Sequence, residues 1–403
     1  KQELERTIAE LTEILTDDAR LRGVVSSELA AVAEQFGTPR RTVLLESAGT
    51  TVTAAKAAPL EVPDDPCWVL LSSTGLLART TSVGPLPAVD PAHRARHDVI
   101  TSAVRATARG EIAAVTSAGR MVRIPVLDMP TLPPTSASPS LAGGGPVGEF
   151  LTLDKGERLL TLCTLGQDSP GLALGTAQGV VKRVTTDYPL NKESWEVISM
   201  RDGDEVVGAV ELTGEQADLV FVTSDAQVLR FPAAKVRPQG RSAGGMAGIN
   251  LSTKARAIFF GAVDLSVKDG EWASVVVTVA GSSSALPGTQ PGTAKVTPFA
   301  EYPTKGRATG GVRSHRFLKG EDTLLLAWAG LAPAQAAAAN GVPLPLPAPD
   351  SRRDGSGTPL RQPVHAVGGP VPSRPEVTDP GQTPEGGDGG ATGPAPGQLE
   401  LGD

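Results

Sequence analysis

Residues 219–251 read LVFVTSDAQVLRFPAAKVRPQGRSAGGMAGINL, and this stretch contains the repeat from which the whole fold can be read. An apolar run comes first, then the turn residues Ser224-Asp225-Ala226, then a returning run that ends at Arg230-Phe231-Pro232. Such a pattern is typical of a β-hairpin. A basic, glycine-rich loop follows, and a third short strand closes the stretch. We therefore expect antiparallel β-structure here.

The same hairpin pattern recurs along the chain, and six copies are visible. Gly75, Gly119, Gly179 and the Asn340-Gly341 pair mark turns, the last being a strong hairpin signal. The six predicted hairpins span 69–80, 112–125, 172–189, 219–232, 275–303 and 334–347.

A second phrase alternates with the hairpins and also repeats. It consists of a short strand, a polar turn and an apolar strand, and it occurs at 145–165, 194–212, 244–263 and 310–330. Hairpin and phrase together make about four strands per repeat, at an irregular spacing close to that of a propeller blade. The sequence thus predicts an all-β fold, a six-bladed propeller-like disc in which most sheet edges are covered.

The two ends of the chain differ from this middle part. Apolar residues at Leu4, Ile8, Leu11 and Leu15 have helical spacing, and a second helix is predicted to end at Phe36. From residue 370 the chain is rich in Gly, Pro and acids, a composition that cannot bury enough apolar surface to order itself. We therefore predict helices over 1–36, a β-domain over 37–369 and a disordered tail over 370–403. Because the first residue is Lys1, we expect the chain to be the C-terminal part of a longer protein.

Composition narrows the classes of function. Aromatic residues are only 3% of the 403, so the core must rest on Val, Leu, Ile and Ala. Cys67 and Cys163 lie in apolar strands and are predicted to be buried thiols. No apolar run approaches the roughly 20 residues of a membrane span, so no membrane partner is expected. The formal charge is -7, and the acids that cause it are concentrated at the two ends.

Basic residues beside glycines are the candidate binding residues. Lys235, Arg237 and Arg241 recur one repeat later as Lys305, Arg307 and Arg313. Such loops suit phosphate, because charge and backbone N–H groups can approach it together. No ordered set of base-reading side chains is visible, so we expect duplex DNA to be bound by shape rather than by sequence. Further candidates are the pair in the linker and the bases on returning strands: Arg40, Arg41, Lys182, Arg183, Arg230 and Lys295, with Arg120 and Arg123 as weaker ones.

Several of these segments resemble one family. The strings EQFGTPRRTVL, KVRPQGRSAGGMAGINL, YPTKGRATGGV and RRDGSGTPL, in this order, are similar to the A subunit of bacterial type IIA DNA topoisomerases, the gyrase A and topoisomerase IV ParC family. The resemblance covers nearly the whole chain except the tail. It implies that 1–36 end a coiled-coil arm and that 37–369 form a β-pinwheel that binds and bends DNA along a basic rim.

The resemblance also implies partners and cofactors. The parent enzyme would be an ATP-dependent type IIA topoisomerase, an A2B2 tetramer in which the A subunits pair through upstream regions. ATP and Mg²⁺ would belong to the B subunit, and no cofactor is expected in this fragment. The family's catalytic tyrosine is expected upstream, since Tyr188 and Tyr302 stand in equivalent repeat contexts, DYP and EYP, and look structural. The resemblance also implies a cytoplasmic, nucleoid-associated location for the parent enzyme.

One departure from the family pattern concerns wrapping. Gyrase A subunits carry a Gln-Arg-Arg-Gly-Gly-Lys-Gly box in the first blade, and this chain has no such string. The corresponding region is Ala92-His93-Arg94-Ala95-Arg96-His97-Asp98, which is basic but lacks glycine. This favours a topoisomerase IV-like subunit over a gyrase.

Two other classes of function are the alternatives. A propeller that serves only as a protein-interaction scaffold is consistent with the weak net charge of the middle part, which has 29 bases and 28 acids over 37–349. An enzyme within this fragment lacks a convergent nucleophile or acid–base set. His93 and His97 have the i, i+4 spacing of a helical metal pair, but no third ligand is nearby.

Overall fold

The computed structural model describes residues 1–36 and 63–371, apart from 88–89, 136–138, 167–168, 170, 213, 215, 266–273 and 287. Arg40 and Arg41 therefore lie outside the described residues, as does the predicted tail from residue 372. The chain divides into two compact units between residues 61 and 62.

The helical unit contains the two predicted helices, α1 (Gln2–Thr16) and α2 (Asp18–Phe36). Asp17 separates them, and its carboxylate accepts a hydrogen bond from the backbone N–H of Ala19 at 2.8 Å, which caps the start of α2. No residue of either helix is buried, and the apolar residues that predicted the helices are exposed. Neither described helix combines the length and apolarity needed to cross a membrane.

The β-unit contains 24 described strands. They are, in chain order, β1 (Pro66–Ser72), β2 (Leu76–Arg79), β3 (Ile100–Thr107), β4 (Glu111–Thr116), β5 (Arg120–Pro125), β6 (Gly145–Pro146), β7 (Leu159–Cys163), β8 (Leu172–Thr176), β9 (Val180–Val184), β10 (Ser194–Glu196), β11 (Val206–Glu211), β12 (Ala217–Thr223), β13 (Gln227–Pro232), β14 (Pro238–Gln239), β15 (Met246–Ala247), β16 (Ala257–Asp264), β17 (Ser274–Gly281), β18 (Thr293–Pro298), β19 (Val312–Arg313), β20 (Thr323–Leu331), β21 (Gln335–Ala337), β22 (Pro343–Leu344), β23 (Thr358–Pro359) and β24 (Ala366–Gly368).

These strands form six sheets, the six blades. From the inner to the outer edge their orders are β3-β1-β2-β6, β7-β4-β5-β10, β11-β8-β9-β14 with β15 also on β9, β16-β12-β13-β19, β20-β17-β18-β23, and β24-β21-β22. Each blade is built on one of the hairpins predicted from the sequence. The predicted all-β, six-bladed fold is confirmed.

Neighbouring blades exchange strands, which the sequence did not reveal. We call the segment between a hairpin and the following inner strand a strap; the six straps are 80–99, 126–158, 185–205, 233–256, 299–322 and 345–365, numbered 1 to 6. Each of straps 2 to 6 supplies the outer strand of the preceding blade before the chain returns to the inner strand of its own blade. For example, β19 of strap 5 pairs with β13 of blade 4, whereas β20 pairs with β17 of blade 5. The two halves of the second sequence phrase therefore lie in different sheets.

The ring of blades is closed. Each inner strand contacts the inner strand of the next blade, and β24 of blade 6 contacts β3 of blade 1. Strap 1 completes the closure, because the backbone N–H of His97 donates to the Gly341 carbonyl at 2.9 Å. On the same strap, Arg94 and Arg96 donate to the carbonyls of Ala336 and Asn340 in blade 6.

The core lies between successive sheets. One cluster, for example, joins Val69 and Leu77 of blade 1 to Ile112 and Ile124 of blade 2. Val, Leu, Ile and Ala dominate the buried residues, as the low aromatic content requires. Cys67 and Cys163 are buried and free, as predicted, and burial raises the pKa of both thiols.

Hairpin turns use left-handed backbone conformations. Gly75, Gly119 and Gly179 have φ values of 74°, 71° and 80°, and Ala226 adopts 60° at the same place in blade 4. Gly179 has a second constraint, because a Cβ atom there would lie 2.8 Å from the Ile249 carbonyl oxygen of strap 4. Left-handed strain and close approach therefore both require glycine at 179.

We expect Gly179→Ala to lower the free energy of unfolding by about 2–3 kcal/mol, from the left-handed conformation and the displaced strap. Urea denaturation measures this value. Gly148→Ala is the matched control, because nothing lies within 4 Å of a Cβ at 148 and its φ is not positive. Equal stability of the two variants would contradict the tight seating of strap 4 on this turn.

Candidate nucleic-acid interface

Positive charge is unevenly divided among the straps. Strap 4 has five bases and no acid, and strap 5 has five bases and three acids. Strap 3 has two bases and six acids, and strap 2 has two bases and four acids. Because the straps form the outer edge of the ring, this division creates a basic arc over straps 4 and 5 and an acidic arc over straps 2 and 3.

Straps 4 and 5 touch each other directly. The backbone N–H of Asn250 donates to the Thr309 carbonyl at 3.0 Å, and that of Ala308 donates to the Gly248 carbonyl at 2.6 Å. Ile249 and Thr309 form a parallel bridge at the same place. The two basic loops that the sequence places about seventy residues apart thus belong to one continuous surface.

Four of the predicted binding side chains are available on this surface. Lys235, Arg237 and Arg313 are exposed and Arg241 is partly exposed. Within residues 63–371, excluding the gaps, none of these four side chains forms a hydrogen bond or an ion pair. A cation without an internal partner keeps its full charge and its donors for a ligand.

Two other predicted residues serve the arc and the fold together. Lys305 Nζ donates to the Gly310 carbonyl at 2.9 Å, and an Arg307 guanidinium nitrogen donates to the Ala247 carbonyl at 2.9 Å. The Arg307 contact crosses from strap 5 to strap 4. Each cation retains further donors, since ammonium has three and guanidinium five.

The glycines of these loops serve two different purposes. A Cβ at Gly245 would lie 2.6 Å from Val180, and one at Gly311 would lie 2.7 Å from the Val228 carbonyl oxygen. These glycines let a strap approach the preceding blade, which differs from the approach to DNA that the sequence suggested. Gly240 and Gly310 face open space, so they leave the backbone accessible to a ligand.

Lys182 and Lys295 do not extend the basic rim, contrary to the prediction. Lys182 is fully buried, and its Nζ donates at 2.8 Å to each of three carbonyl oxygens, of Val197, Arg241 and Ala243. Lys295 Nζ donates to the Ser314 carbonyl at 3.0 Å and to the Arg353 carbonyl. Burial lowers the pKa of each lysine to about 8.

Arg183 and Arg230 are also structural. Arg230 donates to Thr304 Oγ1 at 3.0 Å and to the Phe299 carbonyl at 3.1 Å, and it pairs with buried Asp218 at 3.2 Å. Arg183 is buried on β9, where Pro238 of strap 4 pairs with it. In blade 2, Arg123 likewise donates to the Pro189 carbonyl of strap 3 at 2.9 Å. Arg230 and Arg123 hold the incoming strap of the next blade, and Arg183 is buried, so the charges on these returning strands do not reach the rim.

Arg120, the other weaker candidate, is paired with a carboxylate. Its guanidinium binds Glu157, with 2.8 Å from Nε to Oε1 and 2.5 Å for the second contact. The hydrogen bonds from Arg120 lower the pKa of Glu157 to about 2. This pair joins strap 2 to its own hairpin.

Arg316 and Lys319 were missed by the sequence reasoning. Both are exposed on strap 5, a few residues beyond Arg313. They lack a flanking glycine pattern, and their only sequence signal is membership of the same strap. They extend the basic arc.

His315 is a buried joint behind the arc. Its Nε2 accepts the backbone N–H of Gly357 in strap 6 at 3.1 Å, and its Nδ1 lies 2.9 Å from Thr278 Oγ1. The neutral imidazole that suits these partners carries its proton on Nδ1. Burial lowers the pKa of His315 to about 4; the Glu321 charge opposes this shift, and the Lys295 charge adds a smaller effect in the same direction as burial.

Acidification should therefore destabilise the β-unit through His315. The unfolded chain takes up this proton near pH 6.5 and the folded chain only near pH 4, so stability falls as the pH drops from 6.5 towards 4. Between pH 7 and 4.5, His315 should lower the free energy of unfolding by about 2–3 kcal/mol. Urea midpoints at both values measure it for the parent and for His315→Gln. A pH dependence that is the same in both proteins would contradict the buried neutral histidine.

The tyrosines and histidines that the sequence analysis considered for catalysis or metal binding have the following surroundings. Tyr302 is buried, and burial raises its pKa to about 12; burial also raises the pKa of Tyr188. Exposed His93 binds Asp90 at 2.6 Å, whereas His97 contacts Thr74 at 2.9 Å. Among the described residues no group of three or more metal-ligating side chains exists.

The interlocked blades define the class of this domain. It is a six-bladed β-pinwheel, a propeller in which the outer strand of a blade comes from the next repeat, and it has one basic arc on its edge. Part of the chain is similar to the DNA gyrase C-terminal domain, a β-propeller, whose family model matches residues 217–264 and 288–325. The match includes the four strands of blade 4, strand β18 of blade 5 and both basic straps. The resemblance to the type IIA topoisomerase A subunit that the sequence indicated is thereby confirmed.

Individual relatives agree with this assignment. The chain is 29% identical over 321 residues to the DNA gyrase A subunit of Mycobacterium bovis, which covers 77% of this chain and 35% of that protein. It is 26% identical over 331 residues to the DNA gyrase A subunit of Staphylococcus epidermidis, with 77% and 33% covered. The chain thus spans about a third of the length of these relatives.

Two solved structures share the fold. The C-terminal domain of DNA topoisomerase IV matches with a TM-score of 0.55 at 18% identity, over 76% of this chain and 94% of that one. The DNA gyrase A C-terminal domain matches with a TM-score of 0.50 at 17% identity, over 75% and 99%.

Proposed function

We propose that the β-pinwheel binds duplex DNA along the basic arc of straps 4 and 5. The observation that carries this proposal is the pair of touching straps with ten bases and three acids, on which several cations have no internal partner among the described residues. The contacts are assigned to Lys235, Arg237, Arg241, Lys305, Arg307 and Arg313, with Arg316 and Lys319 added. The acidic arc of straps 2 and 3 repels phosphate and confines the DNA to one part of the edge.

The chemistry of this surface suits the DNA backbone. Lysine and arginine donors bind phosphate oxygens and release condensed counterions, so affinity depends steeply on salt. The open backbone at Gly240 and Gly310 allows phosphate to approach main-chain N–H groups. A convex strip of positive charge bends a duplex without reading its sequence, because the cost of bending is offset by phosphate contacts.

The module belongs, in this proposal, to the A subunit of an ATP-dependent type IIA topoisomerase. It presents a bent duplex segment for strand passage in an A2B2 assembly at the nucleoid. The B subunit supplies ATP hydrolysis and Mg²⁺, and DNA cleavage uses a tyrosine upstream of this chain. The burial of Tyr302 and the partial burial of Tyr188 support this division, because neither hydroxyl is well placed as a nucleophile.

We further propose limited bending, as in a topoisomerase IV-like subunit, rather than gyrase-like wrapping. Gyrase A subunits carry their basic box in the region of strap 1, but here the two arginines of this strap close the ring. Arg94 pairs with Asp98 and donates to a carbonyl of blade 6, and Arg96 donates to the Asn340 carbonyl. Strap 2 and strap 3 are acidic. DNA contact is therefore limited to about two of the six blades. The curated relatives are gyrase A subunits, so wrapping is the alternative that the experiment must decide.

The test measures binding and wrapping separately. The full chain is bound to nicked circular DNA, the nick is sealed by ligase, and the linking number is read from topoisomer bands. We expect retardation of duplex DNA at low salt with little linking-number shift. A large positive shift would replace bending with wrapping. No salt-dependent retardation at low ionic strength would overturn DNA binding itself.

A further inference from the structure

We propose that the buried lysines Lys182 and Lys295 are positioning residues of the basic arc, which they organise from the interior through the backbone of the straps. This inference rests on the proposed DNA-binding function. Both lysines are buried, so neither ammonium is a DNA contact.

Each lysine joins two successive straps to one hairpin. Lys182 on β9 binds the Val197 carbonyl of strap 3 and the Arg241 and Ala243 carbonyls of strap 4. Lys295 on β18 binds the Ser314 carbonyl of strap 5 and the Arg353 carbonyl of strap 6. The three acceptors of Lys182 use all three donors of an ammonium group, so its geometry is saturated.

The same hairpin position is apolar in other blades. Lys182 and Lys295 each lie three residues after a glycine with positive φ, Gly179 and Gly292. Ala78, Val122 and Leu229 stand three residues after the corresponding turn residues of blades 1, 2 and 4. The two lysines therefore occur only in blades 3 and 5 of these five, and the straps they bind include both basic ones.

The loop that Lys182 holds has few other attachments. Between β14 and β15, residues 240–245 contain three glycines, and Gly240 faces open space. The only other described backbone hydrogen bonds of this loop are those of Ala243, with Gly240 at 3.1 Å and Ser199 at 3.3 Å. Glycine-rich backbone loses much conformational freedom when it is ordered. Because the carbonyls of Arg241 and Ala243 turn inward to Lys182, the loop is held in one shape, and the guanidinium of Arg241 is kept on the arc.

The experiment uses the full chain and the variants Lys182→Met and Lys182→Arg. Arginine retains the charge, but a planar guanidinium cannot direct three N–H groups from one nitrogen at three carbonyls. Limited trypsinolysis with mass spectrometry measures cleavage after Arg241, and it requires no DNA. We expect at least roughly tenfold faster cleavage there in both variants, with the thermal transition of the β-unit retained, because the loop opens locally more often. Lys155→Met, which removes an exposed charge from strap 2, is the control and should cleave at the parent rate.

The second measurement tests whether the effects of Lys182 and Arg241 on DNA affinity are coupled. One lost phosphate contact lowers affinity about eightfold at 0.1 M salt. We expect Lys182→Met to have this effect, and Arg241→Gln to cost little more in the Lys182→Met background. If the losses of DNA affinity from Lys182→Met and Arg241→Gln multiply fully in the double variant, the positioning role is overturned while DNA binding stands. The same conclusion follows if Lys182→Arg has the cleavage rate and the DNA affinity of the parent.

The two proposals can fail separately. If the parent does not bind DNA, the proposed function fails, and trypsinolysis still decides whether Lys182 orders strap 4. Should both Lys182 variants fail to fold, Lys295→Met tests the same idea through cleavage at Arg352 and Arg353. Faster cleavage there supports the positioning role, and unchanged cleavage contradicts it.

Discussion

Replacing Arg237, Arg241 and Arg313 together by glutamate is expected to lower the affinity for duplex DNA by roughly 10²–10³-fold at about 0.1 M salt. Each lost phosphate contact removes about 0.9 from the slope of log K against log salt, so the slope should fall by nearly three. These residues are chosen because their side chains have no partner within the described β-unit. Their replacement therefore leaves the straps intact, whereas Lys305 and Arg307 also bind strap carbonyls. Fluorescence anisotropy across a salt series measures both quantities.

The matched control reverses three exposed bases on the acidic arc, Lys155, Lys192 and Arg201. It produces the same change of net charge, so it separates a local interface from a general charge effect. We expect the control to lose less than about tenfold in affinity, the size of one phosphate contact. Equal losses in the two triple variants would show that no basic arc exists, and unchanged affinity in both would show that DNA contacts neither set of residues.

Asp98→Ala is expected to lower the free energy of unfolding of the β-unit by about 3–5 kcal/mol, because it removes one partner of a buried ion pair. The Asp98 side chain is fully buried and binds Arg94 through both oxygens, at 2.7 and 2.9 Å. It also accepts the backbone N–H of Ala95 at 3.1 Å. Arg94 in turn donates to the Ala336 carbonyl of blade 6, so the pair holds blade 1 to blade 6. The variant leaves the Arg94 cation without its counter-ion at the closure of the ring.

Urea denaturation measures the stability of this variant, and small-angle scattering measures whether the ring has opened. Asp90→Ala is the control, since Asp90 is an exposed acid of the same strap, and its denaturation midpoint should be unchanged. The double variant Arg94→Met with Asp98→Ala removes both charges and should recover part of the loss. A single Asp98→Ala variant as stable as the parent, with an unchanged scattering profile, would contradict a role of this pair in closure.

The candidate site was only partly predictable from sequence. The loops around Lys235 to Arg241 and Lys305 to Arg313 stand out because basic residues alternate with glycine outside any apolar run, and the structure puts these loops on the outer edge. Lys182 and Lys295 could not be separated from them, because a lysine in VVKRV or TAKVTP looks the same whether its strand is an exposed edge or is covered. The covering straps come from later in the chain, so local pattern contains no sign of them.

Two helices, six hairpins, their turn residues and the absence of a large aromatic core all follow from the amino-acid sequence of this protein without its fold. They depend on side-chain periodicity and on the backbone preferences of glycine and asparagine, which act over a few residues. Three features instead required the assembled ring: the pairing of each strap with the preceding blade, the closure through Arg94 and Asp98, and the division of charge into a basic and an acidic arc. Pairing between distant strands depends on which edge is free in that ring, and the burial of a charge depends on the carbonyls that the straps bring to it.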